Sequence, residues 1–290
     1  MKKLIAAILA LILVASLVGC GSGGVKSNDI PSTSSNTYKP AQGEVTIEER
    51  VLVNEAGVKI TAKSLEVEGA WGTTLKLLIE NNSKKNLGIY TDRAIVNGYM
   101  LDSYSYGNVP SGKKVNEGFT FYTSDMDEYG IDTIADIELN FQIFDSDTYD
   151  EYLTTDSIQI KTSAADTYKD SYKHNGDIIY NENGIKIMLK DSRYDNSIQE
   201  QGLLFYVENN SDHDIFVHAE DISVNGYMMG VTPFKNILAG KRSVDWVHFY
   251  EYELRENDID KIKEVELYLT IGDCNKWSYI GETDIIRLKF

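Results

Sequence analysis

Val96-Asn97-Gly98-Tyr99-Met100 returns unchanged as Val224-Asn225-Gly226-Tyr227-Met228. In each copy an alternating stretch runs into Asn-Gly, the pair that suits a two-residue type I′ hairpin because both central residues need positive φ. From residue 96 to residue 224 the displacement is 128, and it also carries Gly112-Lys113 onto Gly240-Lys241, Ile131 onto Ile259 and Asp156 onto Asp284. Upstream, Asn54-Glu55-Ala56-Gly57-Val58-Lys59-Ile60 recurs as Asn181-Glu182-Asn183-Gly184-Ile185-Lys186-Ile187, and Ile79-Glu80-Asn81-Asn82-Ser83 recurs as Val207-Glu208-Asn209-Asn210-Ser211. Self-similarity over such a span means one structural unit made twice.

The repeat also preserves which face each side chain takes. Leu75, Leu77 and Ile79 alternate with Lys76, Leu78 and Glu80, and their counterparts Leu203, Phe205 and Val207 alternate with Leu204, Tyr206 and Glu208. Period two with an apolar face predicts a half-buried strand. Ile137, Leu139, Phe141 and Ile143 map in the same way onto Val265, Leu267, Leu269 and Ile271, while Ile158 and Ile160 map onto Ile286 and Leu288 as closing strands. Ser111-Gly112-Lys113 and Ala239-Gly240-Lys241 mark a second turn, and one short helix per unit is expected, at Ser124–Tyr129 and Tyr252–Asn257. About seven or eight strands per unit, with turns roughly every 8 to 14 residues, predict an all-β fold of two tandem antiparallel immunoglobulin-like β-sandwiches. Repeat 1 is expected over 44–163 and repeat 2 over 177–290, joined by a polar linker, 164–176, that carries Tyr168 and Tyr172.

Ahead of the repeats, Lys2 and Lys3 precede an unbroken run of apolar and small residues from Leu4 to Val18. This is the order of a secretory signal. The run is shorter than the ~20 residues that a membrane-spanning helix needs. The closing Leu17-Val18-Gly19-Cys20 resembles the lipobox of lipoprotein signal peptidase. The resemblance implies that residues 1–19 are a lipoprotein signal peptide, and that Cys20 bears thioether-linked diacylglycerol with palmitate-like chains. Two acyl chains suffice for stable attachment where one is marginal. Residues 20–43 carry Gly, Ser, Asn, Thr, Pro31 and Pro40, with Val25, Ile30 and Tyr38 as the sizeable apolar residues. Such a composition cannot order itself, and as a coil it reaches on the order of 25 Å, a tether's role.

Hydrophobic residues make up 42% of the 290, enough to build real cores in the chain beyond the tether. The formal net charge is -17, and more negative once Lys2 and Lys3 leave with the signal. That surface repels phosphate backbones, so nucleic acid is not an expected partner. Cys20 and Cys274 are the two cysteines. With Cys20 lipidated, no intramolecular disulfide forms, although the compartment permits one, and a thiolate zinc site lacks its ligands.

Lipobox, low-complexity tether, a strand ending in Glu-Asn-Asn-Ser and a Val-Asn-Gly-Tyr hairpin together resemble the lipoproteins of Gram-positive bacteria that carry tandem immunoglobulin-like domains, similar in fold to secreted mycobacterial immunoprotective antigens. The resemblance covers both repeats. It implies fold and location, and it brings no catalytic residues.

Residues that might carry chemistry are few. His174, His213, His218 and His248 lie in the linker and repeat 2. His213 and His218 are spaced to face opposite ways in one strand. No nucleophile elbow, His-Glu-x-x-His, phosphate loop or dinucleotide fingerprint occurs. Asp145, Asp147, Asp150 and Glu151 offer oxygen ligands of the kind calcium accepts, but the run lacks the glycine and the fifth-position ligand of an EF-hand loop. It therefore reads as a solvated acidic loop, with calcium as the alternative and no other cofactor implied. Tyr104, Tyr106, Tyr122, Tyr129, Tyr149 and Tyr152 gather in or near loops of repeat 1, with Tyr104 and Tyr106 as the ligand-binding candidates. Their amphipathic rings suit glycans and protein interfaces, against the plainer reading of tyrosine as a good strand former. Cys274 stands where repeat 1 has Ser146, a small residue after a strand rather than a nucleophile.

The sequence thus predicts no enzyme, but a binding module on the extracytoplasmic face of the cell membrane, held by a lipid anchor, with an envelope glycan or a protein as partner. The alternative is a cell-envelope enzyme or an uptake-associated substrate-binding lipoprotein. The uptake version is disfavoured because the helical periodicity of closing α/β lobes is missing.

Overall fold

The structure is a computed structural model and describes residues 45–290, apart from 67–70, 92–93, 102–104, 196–199, 231–233 and 235; of 193–195 and 200 it describes the backbone. The expected signal peptide and tether, Cys20 and Tyr104 lie outside the described residues.

Repeat 1 runs β1 (Arg50–Glu55), β2 (Val58–Glu66), β3 (Gly72–Asn81), β4 (Leu87–Thr91), β5 (Ala94–Val96), β6 (Tyr99–Leu101), β7 (Ser105–Val109), β8 (Lys114–Tyr122), α1 (Thr123–Tyr129), β9 (Asp136–Leu139), β10 (Gln142–Asp145), β11 (Glu151–Thr154) and β12 (Ile158–Lys161). Repeat 2 runs β13 (Asp177–Glu182), β14 (Ile185–Asp195), β15 (Glu200–Asn209), β16 (Ile215–Val224), β17 (Tyr227–Met228), β18 (Lys241–Phe249), α2 (Glu251–Glu256), β19 (Glu264–Asp273), β20 (Ser278–Glu282) and β21 (Ile286–Lys289).

Each repeat is an antiparallel sandwich, as expected. In repeat 1 the first sheet has the order β1-β2-β3-β8, and the second is built on β4 and β5 paired with β10 and β9, flanked by β7, β6, β11 and β12. Repeat 2 matches it with β13-β14-β15-β18 and a second sheet in which β16 and β19 run unbroken, flanked by β17, β20 and β21. Even the irregularities recur: register slips lie at Val51/Val53 and Ala62/Ser64, and again at Ile178/Tyr180 and Leu189/Asp191.

The repeated polar residues are internal staples. Asn97 and Asn225 take φ of 53° and 51°, followed by Gly98 and Gly226 at 82° and 87°, the geometry their hairpins demand. Asn97 Oδ1 accepts from Ala135 N and Asp136 N while its Nδ2 donates to Thr133 O, and Asn225 repeats the set with Lys263, Glu264 and Lys261. Asn81 and Asn209, the conserved part of Glu-Asn-Asn-Ser, are fully buried. Asn81 Nδ2 donates to Lys85 O and Val109 O, and its Oδ1 accepts from Ser83 N and Oγ. Asn209 does the same with His213, Ile237 and Ser211.

One expectation needs correction. Leu204 and Tyr206 alternate in sequence as an outer face, yet β15 is buried on both faces, with Leu204 1% and Tyr206 4% exposed. The reason is a joint between the repeats. Met188, Leu204, Tyr206 and Val244, from the outer face of repeat 2's first sheet, belong to the core of repeat 1, while Ile95 and Met100 of repeat 1 belong to the core of repeat 2. Strand β6 meets β18 in a parallel bridge between Tyr99 and Arg242, so one sheet of eight strands runs β12-β9-β5-β6-β18-β15-β14-β13 through both repeats. The described residues accordingly fall within one compact unit. The repeated pentapeptide is used twice in different ways: Tyr99 and Met100 are buried in this joint, whereas Tyr227 and Met228 are exposed.

The segment read as a polar linker closes over the joint. The Arg242 guanidinium lies 4.0 Å from the Tyr99 ring centroid, donates to Tyr99 Oη and Asn97 O, and is ion-paired with Asp170. His174 stacks on Tyr206 at 3.8 Å and meets Tyr99 Oη through Nε2, while its Nδ1 is buried without a hydrogen-bond partner. Burial, and then the nearby charges of Lys190 and Arg242, push the His174 pKa down to about 3. The folded chain therefore refuses a proton that the unfolded chain takes up below the ordinary value of 6.5, so this stability is whole above pH 6.5 and drains away as pH falls toward 3. Asp170 acts in the same direction, because Arg242 holds its carboxyl below the usual value against the opposing effect of burial. The melting temperature of the full chain is expected to fall between pH 6.5 and 4, and His174→Phe, which keeps the stack, is expected to flatten that slope. An unchanged slope in the variant would locate the acid sensitivity elsewhere.

Candidate functional site

The outer face of each second sheet carries an aromatic group. In repeat 1, Gly88 of β4 and Phe144 of β10 are cross-strand partners, and the Phe144 ring covers the space that a Cβ on Gly88 would need. An aromatic ring over a bare glycine is a known way to fill a pleat. Tyr106 of β7 and Tyr149 flank Phe144, each with its ring centroid 6.1 Å away and its plane within 20° of parallel.

Tyr149 is set by the turn after β10. Asp145 is buried, its Oδ1 accepts from Asp147 N, its carbonyl accepts from Tyr149 N, and its other carboxylate oxygen pairs with Lys85 at 2.8 Å. Lys85 first, and the Asp147 amide after it, hold the Asp145 pKa below the usual carboxylate range. The turn leaves Tyr149 at φ 63° and 79% exposed. A left-handed backbone is unfavourable for a side chain of this bulk, and here it places a large ring in solvent. Phe144 and Tyr149, with Gln142, Ile143, Glu151 and Thr154, line an open cleft of about 290 Å³.

Repeat 2 builds the same group with partners exchanged. At the equivalent cross-strand pair the aromatic residue is on the other strand, so Phe216 of β16 lies over Gly272 of β19. Trp277, displaced by 128 from Tyr149, takes φ 52° and is 80% exposed, with its ring 5.9 Å from Phe216. Its turn is held by buried Asp273, whose Oδ1 accepts from Asn275 N and Lys276 N and whose carbonyl accepts from Trp277 N. The Lys276 amide leads the groups that lower the Asp273 pKa. His218 packs against Phe216 at 4.8 Å, and exposed Tyr279 pairs across from Gly272.

Of the residues singled out in the sequence, Tyr106 belongs to this face, and Tyr104 lies outside the described residues. Tyr129 is buried in the joint, where its hydroxyl donates to Val244 O, and the Tyr152 hydroxyl donates to Ala56 O. Asp145, Asp147, Asp150 and Glu151 do not converge: Asp145 holds the turn, Asp147 accepts from Asn86 and Asp150 from Thr148, and among the described residues no three His, Cys, Asp or Glu form a metal-binding group. His213 pairs with Asp212, away from His218. Cys274 is partly buried, which raises its thiol pKa and keeps it protonated. Sequence reasoning missed Phe144, Phe216 and Trp277. The displacement of 128 pairs Tyr149 with Trp277, but it sets Gly88 against Phe216 and Phe144 against Gly272, so each column read alone is a mismatch.

A larger cleft, about 600 Å³, lies beside the connecting segment and is lined by residues such as Gly130, Thr133, Ser163, Tyr168 and Lys173. It is apart from both aromatic groups.

No protein-family model matches the chain, and no curated protein matches it in sequence. Among solved structures, red sea bream transglutaminase is similar at 9% identity and a TM-score of 0.20, over 72% of this chain and 29% of that one. At that score the likeness bears on neither fold nor activity.

Proposed function

We propose that the chain is a lipid-anchored module of the extracytoplasmic membrane face that acts by binding rather than catalysis, through the outer sheet faces of its two sandwiches. One observation carries this reading. The two copies of the fold each hold a large ring that is about four-fifths exposed at a left-handed backbone position, Tyr149 and Trp277. Strain of that kind is kept where it positions a group for use, and exposed clustered aromatics mark contact surfaces. The lipobox-like Leu17-Val18-Gly19-Cys20 and the tether after it supply the anchor and the reach.

Expressed in a bacterial host fed an alkyne-bearing palmitate analogue, the full chain is expected to take up the label and to sediment with membranes. Cys20→Ala is expected to abolish the label. Membrane-extracted protein is expected to bind isolated cell envelopes saturably. Absence of label would overturn the anchor, and absence of saturable binding would overturn the binding role.

A further inference from the structure

We infer that each outer sheet face is a stacking platform for a neutral, β-linked pyranose polymer, one site per repeat. This rests on the binding-module reading and names its ligand class. A pyranose with equatorial hydroxyls presents axial C–H groups on its flat faces and polar groups around its rim, so it requires an apolar shelf bordered by hydrogen-bonding side chains. In repeat 1 the shelf is Tyr106, Phe144 and Tyr149, whose successive centroids are 6.1 Å apart with planes within 20° of parallel. Its border is Gln142, Glu151 and Thr154. In repeat 2 the shelf is Phe216 and Trp277, and the strand register places His218, Thr270 and Glu282 in the row beside it.

Three features favour sugar over the alternatives. The rings lie on an open face and, in repeat 1, along an open cleft, whereas the anchors of protein interfaces fill enclosed, desolvated pockets. The border residues are polar and include a carboxylate in each repeat, Glu151 and Glu282, which suits hydroxyl groups. The net charge of -17 disfavours polyanions such as polyol phosphates and places no electrostatic penalty on a neutral polymer. The ring over glycine is explained by packing alone, but it is shared by both repeats with the two strands exchanged. What is kept is therefore the presence of a ring at that spot on the face, not the residue that supplies it.

The test uses the full chain in mild detergent, titrated calorimetrically with a β-1,4-linked N-acetylglucosamine hexamer and with cellohexaose. Maltohexaose, which is α-linked, and polyglycerol phosphate serve as controls, and isolated cell envelopes are run in parallel. Binding of a β-linked hexamer at two sites per chain is expected, with none for either control. Tyr149→Ala and Trp277→Ala are each expected to remove one site or weaken it at least about tenfold, with the loss of one ring stack taken near 1.4 kcal/mol. Tyr149→Phe and Trp277→Phe, which keep a flat ring, are expected to retain both sites. Melting temperatures check that the exposed replacements leave the fold intact. Envelope binding that survives the double alanine variant, with no response to the hexamers, would overturn the sugar platform and leave the binding role standing. Absence of both hexamer and envelope binding in the unsubstituted chain would overturn the two together, and preference for polyglycerol phosphate would overturn the ligand class.

Discussion

Leu204→Lys is expected to uncouple the two sandwiches and to convert one cooperative unfolding transition into two. Leu204 points out of repeat 2's own sandwich and is 1% exposed because repeat 1 covers it together with Met188, Tyr206 and Val244. Repeat 1 carries Lys76 at the equivalent place, partly exposed, so the strand itself tolerates lysine there. What the change removes is the joint. Deleting a buried leucine costs about 2–5 kcal/mol, and an ammonium in that apolar seat adds a desolvation cost unless it escapes to water. A loss of about 3–5 kcal/mol from the coupling is the expected result. Differential scanning calorimetry reads it directly, while far-ultraviolet circular dichroism is expected to show the strands retained. A single transition shifted by less than about 1 kcal/mol would mean that the lysine reaches solvent and that the joint contributes little.

Asn81→Ala is expected to cost about 2–4 kcal/mol, because four hydrogen bonds end on one fully buried side chain and two of the groups left behind are backbone carbonyls. Asn209→Ala is expected to match it in repeat 2, where the same four bonds recur. Ser83→Ala removes one partner of that network and leaves the carbonyls held, so its cost is expected near ~1 kcal/mol. Urea unfolding with an unchanged m value separates a stability loss from a change in compactness. Equal losses at Asn81 and Ser83 would show that the serine, not the buried amide, fixes the loop.

These two predictions also mark what was legible in the sequence. Asn97 and Asn225 announce their hairpins because the backbone angles they take are ones that few residues accept. Alternation announces β3 because its outer residues, Lys76 and Glu80, meet solvent or ion partners. The same reasoning fails at β15, because a strand covered on both faces no longer alternates in burial. The sign of that cover was in the differences between repeats: Leu204 for Lys76, Tyr206 for Leu78, Val244 for Asn116 and Trp246 for Gly118 together build an apolar surface on one face. The aromatic faces were half legible. Tyr106 and the tyrosine-rich loops drew attention, but Phe144 and Phe216 read as ordinary strand residues, since only cross-strand pairing reveals the glycine beneath each ring. The Asp145 run read as a solvated acidic loop, with calcium as the alternative, and alternation did not show that Asp145 itself is buried. The structure gives Asp145 a lysine and the backbone amide of Asp147, which explains the buried acid without an ion.

The joint has a consequence for how the chain comes into being. A ribosome releases Tyr99 and Met100 long before it releases the strand that covers them, since Tyr99 and its partner Arg242 are 143 residues apart. At roughly 5–20 residues per second the apolar hairpin waits on the order of ten seconds for its cover. Throughout that interval the joint residues of repeat 2, Met188, Leu204, Tyr206 and Val244, cannot all be present to cover repeat 1. Premature termination anywhere before β18 thus leaves a first sandwich whose Tyr99–Met100 hairpin lacks its partner strand.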